Sequence, residues 1–71
     1  MQDYYLNLSL AHAQAGDPSA SLDAADQAVF WQPGYAKAHA ARGNALNTLG
    51  RTDEAREALE EAFQLDPSLR P

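Results

Sequence analysis

The feature that most constrains this chain is an internal repeat of 34 residues, which takes up nearly all of its 71 residues. Three kinds of residue recur at that spacing: Gly16 and Gly50, Ala28 and Ala62, and Pro33 and Pro67. A glycine that ends one helix, an alanine inside the next and a proline that stops it have different effects on the backbone, so their shared spacing is not a matter of composition. The repeating unit is therefore predicted to be a helical hairpin.

The spacing of the apolar residues predicts an all-α chain with four helices, over about 2–15, 18–31, 35–49 and 52–65. Gly16 and Gly50 supply left-handed stops after the first and third helices. Asp17 and Thr52 are expected to cap the helices that follow, and Pro18 fits the first helical position because its missing N–H costs nothing there.

Composition excludes several classes of function. The chain has no cysteine, so it has neither a disulfide framework nor a thiolate metal site. With five Lys and Arg residues and a net charge of -5, it is poorly suited to bind the phosphates of nucleic acid. No apolar run approaches the roughly 18 residues that suggest a membrane span, and no basic leader precedes the first apolar stretch. We therefore expect no membrane association and, by default, a cytoplasmic location.

No combination of residues points to catalysis or to a cofactor. The carboxylates of residues 53–61 are those of a solvated helix face, and no nucleophile lies beside a base. His12 and His39 lack metal ligands at helical spacing, so we expect structural roles for both. The same reasoning assigns Trp31 to packing in the core or between hairpins, and it also covers Tyr4, Tyr5 and Tyr35. The chain is predicted not to be an enzyme.

With these positions assigned, the chain resembles the tetratricopeptide repeat (TPR) family over two units, residues 2–35 and 36–69. The second unit matches the small, large and terminal positions of the family pattern at Gly43, Leu46, Gly50, Ala55, Leu59, Ala62, Phe63 and Pro67. The first keeps Gly16, Ala28 and Pro33 but departs from the pattern at Ser9, His12, Ser21 and Ala25. The resemblance implies a single domain, 1–71, in which two hairpins stack as a short right-handed α-solenoid.

The second unit also departs from the pattern at two positions that usually carry an aromatic residue and a leucine. These positions hold His39 and Arg42. We expect Arg42 to lie along alanine-rich surface with its guanidinium in water or paired with an aspartate.

The resemblance further implies a concave groove, lined by the first helix of each unit, that binds an extended or helical segment of a partner protein. The corresponding positions here are Asp3, Leu6, Asn7, Leu10, Ala13, Gln14, Lys37, Ala40, Ala41, Asn44, Asn47 and Thr48. Asn44 is either a ligand for a partner's backbone or a solvated helix residue. The positions at which one TPR subgroup binds a C-terminal carboxylate hold Leu6, Leu10 and Ala41. We therefore expect an apolar strip instead, formed by Leu6, Leu10, Ala40 and Ala41.

Two functions remain open at this point. The first is a protein-interaction module that binds a partner segment in the groove. The second is a self-associating scaffold or part of a longer array, because repeat arrays usually need about three units for stability. A homo-oligomer is then expected, through Tyr4, Tyr5, Leu6, Leu10, Phe63 and Leu65.

Overall fold

The computed structural model describes residues 3–71, which form four α-helices and one short 3-10 turn. The helices are α1 (Tyr4–Gln14), α2 (Pro18–Trp31), α3 (Ala36–Thr48) and α4 (Thr52–Leu65), and the 3-10 turn is Pro67–Leu69. The predicted all-α fold is confirmed, and the seven helix ends that can be compared each lie within one residue of their expected places. The expected start of the first helix at residue 2 lies outside the described residues.

The two hairpin turns have the same construction. Gly16 and Gly50 adopt φ angles of 81° and 82°. After α1, the Asp17 amide donates to the His12 carbonyl at 2.9 Å, and after α3 the Arg51 amide donates to the Leu46 carbonyl at 2.9 Å. This pairing of a left-handed glycine with a bond that spans the helix end closes both helices and reverses the chain.

The helix starts differ from one another. The Asp17 carboxylate accepts the Ala20 amide at 3.1 Å, as expected for a cap of α2. The prediction for Thr52 is wrong, because Thr52 is the first residue of α4 and the capping position belongs to Arg51, whose side chain makes no cap bond. Asp53 and Glu54 place negative charge in the first turn of α4, where it interacts favourably with the positive end of the helix dipole.

Each hairpin pairs its own two helices, and α2 packs against α3 to join the hairpins. The buried residues are mostly alanines, with only a few larger side chains among them. One buried cluster contains Leu22, Ala45, Leu46, Ala55 and Ala58, and another contains Leu6, Ala25 and Ala41. Side chains this small let helix backbones approach closely, and van der Waals contact over many atoms then stabilises the stack.

Polar contacts fix the junction between the hairpins. Arg42 Nε donates to Asp26 Oδ1 at 2.7 Å, which joins α3 to α2 and confirms that the guanidinium is paired with an aspartate. The Tyr35 hydroxyl donates to Asp3 Oδ1 at 2.9 Å. His39 Nε2 lies 2.7 Å from the Pro33 carbonyl oxygen, so this ring braces the linker between the hairpins.

The aromatic residues do not all pack as expected. Trp31 is 64% exposed, so its predicted place in the core or between hairpins is wrong. It stacks edge-on with Phe30, which is 72% exposed, at a centroid distance of 5.1 Å. Both residues lie in the last turn of α2, in which Ala28 is the buried residue.

Within residues 3–71, no helix has both the length and the apolar character needed to cross a membrane.

Candidate partner-binding cleft

A cleft of about 180 Å³ opens between α1 and α3 and is closed at one end by the start of α2. It lies on the face of the molecule where the first helices of the two hairpins run side by side. Its walls and floor are formed by Ser9, Leu10, Ala13, Gly16, Pro18, Ser21, Ala41, Asn44, Ala45 and Thr48.

The walls of the cleft are predominantly apolar. Leu10 contributes the largest apolar side chain and is 46% exposed, whereas Ala41 and Ala45 are buried beneath the opening. Ser9 and Ser21 form part of the floor, but their hydroxyls bond within the α1–α2 interface. A partner group that enters the cleft therefore meets carbon over most of its surface.

The polar groups at the rim come from α3. Thr48 Oγ1 donates to the Asn44 carbonyl at 3.0 Å, so the threonine hydroxyl is already engaged by its own helix. The Asn44 side chain is exposed, and no hydrogen bond to it is found among residues 3–71. An asparagine amide both donates and accepts, which matches the two polar groups of a peptide backbone.

The structure brings together only part of the predicted groove. Leu10, Ala41, Asn44 and Thr48 line the cleft, and Ala13 joins them. Asn7 lies on a separate shallow surface formed with Asp3, Tyr4 and Leu8. Asn47 lines a third surface, between α3 and α4, with Thr52, Ala55, Arg56, Leu59, Glu60 and Phe63. Lys37 is exposed but does not border the cleft.

The expected apolar strip is wrong at Leu6, which is only 6% exposed because it packs with Ala25 and Ala41 in the core. Ala41 is equally buried, but it still forms part of the cleft floor. Leu6 is therefore a core residue and offers little surface either to a groove or to another copy of the chain. Leu10, one turn further along α1, remains as the accessible leucine of that set.

The residues predicted for self-association are distributed unevenly. Tyr4 and Leu65 are substantially exposed, and Tyr5 is half-buried. Phe63 is half-buried beneath Arg70, whose guanidinium lies 4.8 Å from the ring centroid and also donates to Glu60 Oε2 at 3.2 Å. Tyr4, Phe63 and Leu10 border three different surfaces of the described residues.

The groups whose pKa values are shifted lie outside the cleft. The pKa of Tyr35 is raised, chiefly because its hydroxyl donates to Asp3. The pKa of Glu54 is lowered by its hydrogen bonds from Arg51. The pKa of Asp66 is lowered because the Ser68 side chain and backbone amide both donate to its carboxylate. No group of three or more metal-ligating side chains occurs within residues 3–71.

Two features of the molecule's surface are not predicted by the sequence pattern. Gly16, Pro18 and Ser21 close the end of the cleft, and their role follows from the hairpin turn that returns α2 beneath α1. The second is the exposure of Phe30, at the end of α2, for which the sequence signal is its place off the buried alanine stripe of that helix.

Comparison with known proteins agrees with this architecture. One tetratricopeptide repeat family model matches residues 36–69, and a second tetratricopeptide repeat model matches residues 2–27. The chain is also 37% identical, over 65 residues, to the small glutamine-rich tetratricopeptide repeat-containing protein 2 of Mycosarcoma maydis. That alignment covers 92% of this chain but only 18% of the relative. TPR domains are generally non-catalytic modules that mediate protein–protein interaction. The chain, with two tandem repeats, belongs to the tetratricopeptide repeat family.

Proposed function

We propose that this chain is a protein-interaction module that binds a segment of a partner protein in the cleft between α1 and α3. The observation that carries the proposal is the cleft itself, a concave apolar opening with an exposed leucine on one wall and an exposed asparagine on the other. Binding sites for peptide side chains have this character, because apolar burial supplies affinity and a few polar groups fix orientation.

The Asn44 side chain could hydrogen-bond to the backbone of the partner segment. Its amide stands at the rim, where it is free to bond a peptide group that follows the groove. A hydrogen bond of this kind contributes on the order of 1 kcal/mol, so it sets the position of the segment more than its affinity. Leu10 and the alanine floor would contribute the larger apolar share.

The test is partner binding by variants that change the cleft but leave the fold intact. Ala13 and Ala11 are both exposed alanines of α1, but only Ala13 lines the cleft. Ala13→Leu should fill the opening, and Ala11→Leu is its matched control because leucine is also a good helix former. A partner isolated from cells that make the protein should be retained by Ala11→Leu and lost with Ala13→Leu and Asn44→Ala, at unchanged melting temperature.

A second candidate function is a self-associating scaffold. It is favoured by the exposed aromatic residues at one end of the molecule, where the start of α1 and the end of α2 lie close together in the antiparallel hairpin. Tyr4, Phe30 and Trp31 are each more than half exposed. Exposed aromatic residues in this number commonly mark contact surfaces.

Sedimentation over a wide concentration range separates the two candidates. A scaffold should show reversible association that Phe30→Ser with Trp31→Ser abolishes, and Ala13→Leu should leave its oligomeric state unchanged. A partner-binding module should sediment as a monomer throughout that range.

A further inference from the structure

We infer that the cleft selects a partner segment with one large uncharged apolar side chain as its anchor and with a Lys or Arg close to that anchor. The inference rests on the proposed function and specifies the chemistry of the partner. It follows from three features of the cleft: its volume, its lining and the acidic residue beside its closed end.

The volume suits one side chain. A cavity of about 150 Å³ lined by apolar residues accommodates a benzene molecule, and the cleft here measures about 180 Å³. Leu, Ile, Met and Phe side chains are of that order. The cleft thus takes a single inserted group, and the remainder of the segment runs along the rim past Asn44.

The lining excludes a charged anchor. None of the ten lining residues is a Lys, Arg, His, Asp or Glu. Among the lining residues a carboxylate would find no cation and an ammonium group no anion, so either would lose its hydration without compensation inside the cleft. Of the polar side chains, those of Ser9, Ser21 and Thr48 already donate within the fold.

The preference for a neighbouring basic residue comes from Asp17. It lies between Gly16 and Pro18, which both line the closed end of the cleft, and it is exposed. One of its oxygens accepts the Ala20 amide, but its charge is not paired with any cation among residues 3–71. A net charge of -5 for the chain acts in the same direction, by attracting a basic segment and repelling an acidic one.

The experiment is selection of phage-displayed random peptides of about a dozen residues on the purified 71-residue chain. Selections are run in parallel on the wild type, on Asp17→Asn and on the pair Ala13→Leu and Ala11→Leu. Asn caps helices as well as Asp does, so Asp17→Asn removes the charge and preserves α2. Thermal melting followed by circular dichroism is the check that each variant is folded as the wild type is.

We expect peptides from the wild-type selection to share one position occupied by Leu, Ile, Met or Phe, with Lys or Arg enriched within a few residues of it. Selection on Asp17→Asn should keep the apolar position and lose the basic enrichment. Binding of the selected peptides should fall at least tenfold with Ala13→Leu and change less than about twofold with Ala11→Leu.

Other outcomes overturn the inference in distinct ways. Peptides that depend on Ala13 but share an acidic residue, a basic residue or a C-terminal carboxylate as anchor would leave the proposed function standing and refute the apolar anchor. Basic enrichment that persists with Asp17→Asn would refute the role of Asp17. Peptides indifferent to Ala13→Leu, or no enriched peptides at all, would refute both the inference and the proposed function.

Discussion

Ser9 and Ser21 exchange hydrogen bonds across the interface between α1 and α2. Ser9 Oγ donates to the Ser21 carbonyl at 2.8 Å, and Ser21 Oγ donates to the Ser9 carbonyl at 2.9 Å. The two hydroxyl oxygens lie 3.0 Å apart, and both residues are almost fully buried. The corresponding positions of the second repeat, 34 residues later, hold Gly43 and Ala55. The first hairpin is thus joined by polar bonds at the point where the second is joined by close packing.

Loss of this exchange should destabilise the fold. Ser21→Ala removes one buried hydrogen bond, worth about 1 kcal/mol, and the gain in helix propensity offsets part of that loss. Ser19→Ala, at an exposed position of the same helix, measures the propensity gain alone. We expect Ser21→Ala to be less stable than Ser19→Ala by about 1 kcal/mol in urea denaturation. Equal stability of the two variants would show that the exchange contributes nothing.

Gly43 should tolerate no added methyl group. A Cβ there would lie 2.6 Å from Leu59 Cγ and 3.2 Å from the Ala55 carbonyl oxygen. Overpacking of this kind costs about 1–3 kcal/mol, which equals or exceeds the roughly 1 kcal/mol that alanine gains over glycine in a helix. We expect Gly43→Ala to lower the free energy of unfolding in a denaturant titration.

Gly34→Ala is the matched control for that variant. Nothing lies within 4 Å of a Cβ at Gly34, and its φ angle is not positive. We expect its stability to be unchanged or to rise by up to about 1 kcal/mol, because alanine restricts the unfolded chain. A Gly43→Ala variant as stable as Gly34→Ala would contradict the close approach of α3 and α4.

Sequence reasoning recovered the fold because its signals are local. Gly16 and Gly50 end α1 and α3, and Asp17 caps α2. Each of these effects depends only on the residues of one turn, so the residue type at that position is enough to predict it. The prediction that Thr52 caps α4 is wrong by one position, because the capping position is Arg51 and Thr52 is the first helical residue. The exact residue at which a helix begins or ends is the least certain part of such a prediction, to within one or two residues.

The cleft was harder to predict because it depends on the packing of three helices. Leu6 and Leu10 lie one turn apart on α1, yet Leu6 points to Ala25 and Ala41 while Leu10 borders the opening. Whether a side chain of α1 is buried or borders the cleft depends on the rotation of α1 about its own axis. That rotation is set by the packing of α1 against both α2 and α3. A helical pattern cannot specify it when α1 is apolar on most sides.

Acid should remove two contributions to stability. Arg51 donates to Glu54 from Nε at 2.9 Å and from Nη2 at 2.8 Å, and the Ser68 hydroxyl donates to Asp66 at 2.6 Å. These bonds lower the pKa of each carboxyl group in the folded state. A lowered folded-state pKa means that stabilisation is present above the unfolded-state pKa, roughly 4, and is lost as pH falls through the folded-state value.

We therefore expect the melting temperature to fall on acidification below about pH 4, and to fall less for Glu54→Gln with Asp66→Asn. Asn keeps the side-chain oxygen that accepts the Ser68 amide, and Gln keeps an oxygen for Arg51. The comparison is thermal unfolding of both proteins at a series of pH values. An equal loss in the two proteins would contradict the role of these carboxylates.

Trp31 provides a spectroscopic test of the exposed aromatic pair. It is the only tryptophan of the chain and is 64% exposed beside Phe30. In dilute solution we expect indole emission typical of solvent exposure and efficient quenching by acrylamide. Blue-shifted emission that resists quenching at the lowest concentrations would contradict the observed position. A blue shift that develops only as concentration rises would favour the scaffold function.

The most direct test of the central claim is the affinity of one bound peptide for the wild type, Ala13→Leu and Ala11→Leu, measured by titration calorimetry with NMR shift mapping. If the cleft between α1 and α3 is the binding site, Ala13→Leu should weaken binding at least tenfold, about 1.4 kcal/mol, and Ala11→Leu should leave it nearly unchanged. Amide shifts should then concentrate at Leu10, Ala13, Asn44 and Thr48. Equal affinities for the three proteins, with shifts centred on another surface, would contradict the claim.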